Sequence, residues 1–175
     1  AGSDHFRFLS SSIVVLPDSI QIVIVLSAQV RVVVKEGRGA HPRRVVVAGA
    51  QLQDLAEQHQ CLVLYPEQTA KANNLRCWNW FDVAHQGHGG EPAMLAALTR
   101  QVARRQGVNP SRIYIAGLSA GGAMAAVVAA LYPEVFAAVG VHSGLPAGAA
   151  SDVISAFKAM RHGASHRPAL AQHKP

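Results

Sequence analysis

Apolar and polar positions along the chain fall into short Val/Ile-rich runs and longer segments with helical spacing. Residues 12–16, 20–26 and 30–34 are β-branched runs separated by Pro17-Asp18 and Ser27-Ala28-Gln29, which predicts three strands. Residues 35–44 are polar and hold Gly37, Gly39 and Pro42, the composition of a loop. Residues 48–58 place Leu52, Leu55 and Ala56 on one face of a short helix. Residues 61–65 are continuously apolar and stop at Pro66, the pattern of a strand buried on both faces. A long loop over 67–90 contains both tryptophans. A helix is expected over 92–106, with Glu91 near its start and Arg104 and Arg105 near its end, charges that suit the helix dipole. Residues 107–109 turn the chain into a strand at 112–116, followed by a small-residue helix over 119–131 that stops before Pro133. Residues 136–141 are again strand-like, and the Gly-, Ala- and His-rich remainder holds a helix at 152–160. Strands alternating with helices predict an α/β fold, a mostly parallel sheet with helices on both faces.

Composition narrows the function. At 175 residues the chain is read as one domain, 1–175, with residues 1–47 as its β-rich N-terminal segment. Half of the residues are hydrophobic and only 15% are charged, which excludes a highly charged disordered chain. The net charge is +6, but the cations are scattered, with Arg43-Arg44 and Arg104-Arg105 the adjacent pairs. Nucleic acid is therefore not the expected partner. The most apolar stretch, 13–34, is interrupted by Asp18, Gln21, Gln29 and Arg31, so no membrane span is expected. Two cysteines, Cys61 and Cys77, are too few for a disulfide scaffold.

The chemistry is concentrated at Gly117-Leu118-Ser119-Ala120-Gly121. This G-x-S-x-G has a buried strand leading in and a helix leading out, the context in which it forms a nucleophile elbow. Ser119 is then a nucleophile on a sharp turn, and the Ala120 N–H at the helix start is an oxyanion donor.

Four segments agree with one family: Tyr65-Pro66-Glu67-Gln68, Cys77-Trp78-Asn79-Trp80-Phe81, the elbow extended through Gly122-Ala123-Met124, and His142-Ser143-Gly144-Leu145-Pro146. The chain resembles the polyhydroxybutyrate depolymerase family of α/β-hydrolase esterases, related to feruloyl and acetylxylan esterases. The resemblance implies carboxylic ester hydrolysis through an acyl-enzyme on Ser119, no cofactor, a polyester or aryl/acyl ester substrate and an extracellular location. It also implies a His-Gly-Cys oxyanion loop near residues 35–39. Here Gly37 stands in that region without the His and Cys, so Cys77 lacks the partner the family suggests for it. The family's triad acid and histidine are expected in later segments, and this chain is read as C-terminally incomplete. Asp152, His162, His166 and His173 are poor substitutes.

Trp78 and Trp80 alternate around Asn79 and are read as core or as an aromatic wall for the substrate. His142 is read as pocket wall or structure rather than as the base. His85-Gln86-Gly87-His88-Gly89-Gly90-Glu91 offers two imidazoles and a carboxylate on a Gly-rich loop, a poor scaffold for zinc, and no metal is expected. Two alternatives stay open: a catalytically incomplete hydrolase fold acting as a binding module, and an acyltransferase. Oligomeric state is not legible.

Overall fold

The computed structural model describes residues 21–26 and 61–164. Four strands, β1 (Gln21–Leu26), β2 (Cys61–Leu64), β3 (Ile113–Leu118) and β4 (Ala138–His142), form one sheet in the order β2-β1-β3-β4. Every pairing is parallel. Their carboxyl ends therefore share one edge, where an open α/β sheet places its ligand crevice. Register puts Leu26 opposite Gly117 and Leu118 opposite His142.

Parallel strands need long crossovers, and helices supply them. Helix α1 (Gly90–Gln106) joins β2 to β3, and α2 (Ala120–Leu131) joins β3 to β4. The first has Glu91 in its first turn, Arg104 and Arg105 in its last, and buries Leu95, Leu98, Thr99 and Val102. The Thr99 hydroxyl, inside this face, donates to Leu95 C=O at 2.7 Å. Helix α2 buries Gly121 to Ala125, Val127, Val128 and Leu131, and its small residues let it lie against the sheet. Met124, Val127, Val128 and Ile115 are almost wholly enclosed. Each such side chain stabilises the fold by about 1.5–3 kcal/mol. Helix α3 (Val153–His162) follows β4 and starts in a capping box between Asp152 and Ser155.

The α/β architecture and its parallel sheet agree with the sequence pattern. Boundaries moved by one or two residues. The strand expected from 136 begins at Ala138, because Phe136 is buried in the core and Ala137 N–H reaches Ile113 C=O at 2.7 Å before the ladder starts. The strands expected at 12–16 and 30–34, the loop at 35–44 and the helix at 48–58 lie outside the described residues.

Candidate active site

Ser119 sits between β3 and α2 with φ 54° and ψ −120°, outside the regions L-residues favour. The turn is fixed on both sides. Its N–H donates to His142 C=O at 2.9 Å, and its C=O accepts from Ala123 N–H at 3.0 Å. Gly117 is needed just upstream, since a Cβ there would overlap the Gly121 carbonyl. The side chain of Ser119 is exposed and makes no capping bond to the helix. Ala120 opens α2, so its N–H is among the amides a helix start leaves without an intrahelical partner. A strained, accessible hydroxyl beside a helix N-terminus can attack a carbonyl and have its oxyanion stabilised.

His142 ends β4 next to the elbow and is exposed, with its Nδ1 3.0 Å from Ser143 Oγ. Ser143 also has a positive φ, 52°. Two strained serines thus follow the ends of adjacent strands.

Trp78 is 0% and Trp80 5% exposed, and both belong to the core cluster that contains Leu26 and Met124. Their rings pack inside the molecule and do not stand as open faces toward solvent. Of the two roles the sequence left open for them, burial favours core. Trp80 meets Phe81 edge-on at 5.8 Å. Gly37 lies outside the described residues; on the side of the elbow away from β4, the adjoining strand end is that of β1, at Leu26.

Asp152 is occupied by its cap: its Oδ1 accepts from Ser155 N–H at 2.7 Å. That bond, with the Ser155 hydroxyl, holds its carboxyl below the ordinary aspartate pKa. Cys77 carries a free thiol. Cys61 is half-buried at the start of β2, and burial pushes its thiol pKa up.

The sequence reading missed the role of the 85–91 segment. It forms no metal cluster; among the described residues no group of three His, Cys, Asp or Glu could hold one. Glu91 is instead buried and bonded to Gln68 and Asn79. His85 Nδ1 accepts the Glu91 N–H at 3.0 Å, while His85 Nε2 lies 3.9 Å from Glu91 Oε1. His88 stacks edge-on against Tyr132, whose hydroxyl donates to His88 C=O at 3.1 Å. No periodic signal links positions 68, 79 and 91, so pattern reading had nothing to detect.

A parallel sheet with a strained serine between strand and helix defines an α/β-hydrolase-type chain. Residues 25–172 match the family model described as Esterase PHB depolymerase, and the chain belongs to that family. It is 36% identical over 116 residues to poly(3-hydroxyalkanoate) depolymerase C of Paucimonas lemoignei, covering 66% of this chain and 28% of that protein. Feruloyl esterase B of Neurospora crassa is 34% identical over 128 residues, covering 69% of this chain and 43% of the relative. Among solved structures, an acetyl xylan esterase from Aspergillus awamori superposes with a TM-score of 0.60 at 25% identity, covering 78% of this chain and 45% of that one. The chain thus spans less than half the length of these relatives.

Proposed function

We propose that this chain carries the nucleophile of a carboxylic ester hydrolase acting on polyester or aryl/acyl esters outside the cell. Ser119 Oγ attacks the ester carbonyl and gives its proton to a base. The tetrahedral oxyanion is met by the Ala120 N–H, with a second donor, Gly37, proposed from the family's loop. The C–O bond to the alcohol then breaks, the alcohol leaves protonated, and water releases the acid from Ser119. His142 and the strand-edge loops border the substrate, with Trp78 and Trp80 behind them. No cofactor enters this chemistry. Among the described residues no helix is long and apolar enough to cross a membrane.

The observation that carries this reading is the backbone of Ser119: φ 54° on an exposed serine at a helix start. Strain of this kind persists where a site uses it. The alternative is a hydrolase fold that acts as a binding module.

Incubation with a fluorophosphonate, followed by peptide mass mapping, separates the two. One adduct per chain on the Ser119 peptide, lost in Ser119→Ala, is the expected result. A chain left unmodified, or modified elsewhere, overturns the esterase reading.

A further inference from the structure

Among the described residues, the ester reaction leaves one buried carboxylate unused. Glu91 stands in the first turn of α1 with 6% of its surface exposed. Its Oε1 accepts from Gln68 Nε2 at 2.5 Å and from Asn79 Nδ2 at 2.6 Å. Its Oε2 accepts from the Asn79 N–H at 2.9 Å. Asn79 Oδ1 is held in turn by Asn73 Nδ2 at 2.8 Å. The His85 ring closes over the helix start, and Gly90, at φ +58°, leaves room for it: a Cβ there would overlap the imidazole. Enclosing a carboxylate is costly unless donors surround it. Here three donors and a helix N-terminus do so.

These bonds continue from Asn79 to the loop after β4. Asn79 lies between Trp78 and Trp80. Gln86 Nε2 donates both to Trp80 C=O at 3.1 Å and to Ala150 C=O at 2.5 Å. Ala150 belongs to the loop after β4, which begins next to the His142 carbonyl that holds Ser119 N–H. We infer that Glu91 is a positioning residue for the ester site: through Asn79 it fixes the 78–86 segment against the β4–α3 loop and so sets which acyl or aryl groups fit beside Ser119. The last clause rests on the Ser119 reading; the coupling itself does not.

Glu91→Gln is the informative change because it keeps shape and removes acceptance. All three partners are donors, so the new NH2 must face one of them. A role in packing alone predicts no effect. Two measurements on the full chain test the inference. The first is amide and indole chemical shifts in wild type and variant. Changes reaching both tryptophan indoles, Ala150 and Ser119 support the coupling; changes confined to Gln68, Asn79 and His85 overturn it. The second is the ratio of labelling rates for a bulky aryl phosphonate and a methyl phosphonate. A drop in that ratio of about tenfold is expected, the scale at which pocket shape discriminates; rates that fall together or stay unchanged overturn the specificity role. A wild-type chain that takes up neither probe sinks the Ser119 reading, while the spectra still decide the coupling. Should Glu91→Gln fail to fold, Gln68→Ala removes a single donor and is read by the same spectra.

Discussion

At the scale of single residues, the elbow opposes stability to function. Ser119 holds a conformation that glycine tolerates better, and such strain costs on the order of 1–3 kcal/mol. Ser119→Gly is therefore expected to raise the unfolding free energy by about 1 kcal/mol in urea, after the greater freedom of glycine in the unfolded chain is offset. The same variant takes up no phosphonate. A variant less stable than wild type would mean that the turn is not strained. Two positions upstream the direction reverses. Gly117→Ala forces a methyl group into the Gly121 carbonyl, a rigid backbone neighbour. It is expected to destabilise by about 3 kcal/mol or more, at or above the top of the usual overpacking range. Urea midpoints of the two variants, moving in opposite directions, check both statements.

At the scale of elements, α3 gives a pH-dependent prediction. Asp152 accepts from the Ser155 N–H and hydroxyl, and these bonds lower its folded-state pKa. A depressed carboxyl stabilises the fold fully above its unfolded pKa and loses that contribution as pH falls through the folded value. Asp152→Asn keeps an acceptor but cannot titrate. Its stability is expected to fall less steeply than wild type below about pH 4, the unfolded aspartate range, in denaturant melts at stepped pH. Parallel slopes would remove Asp152 from the acid response. Elements of this kind were readable in the sequence because each carries its own local signal. Pro66 stops the run over 61–65, Gly107 and Pro133 end helices, and G-x-S-x-G sits where a strand meets a helix. What was not readable is tertiary. The burial of Trp78 and Trp80, and the enclosure of Glu91 by Gln68 and Asn79, depend on how a loop of irregular structure folds back. Hydrophobic periodicity holds no record of that.

At the scale of the whole molecule, the decisive group is the proton acceptor. Loss of the histidine base costs a serine hydrolase on the order of 10⁶-fold in turnover, whereas loss of one oxyanion donor costs roughly 10²–10³-fold. The four described histidines have other surroundings: His85 binds the Glu91 N–H, His88 stacks on Tyr132, His142 meets Ser143, and His162 is exposed in the last turn of α3. The chain has nine histidines, which leaves His5, His41, His59, His166 and His173 outside the described residues. If Ser119 is labelled at an enzyme-like rate, the rate should rise with pH in a single step near the ordinary imidazole pKa of about 6.5. Alanine at one of those five positions should then abolish the step, while Asn at position 142 lowers the rate and keeps it. A step that survives all five substitutions would mean that none of these imidazoles is the group that activates Ser119.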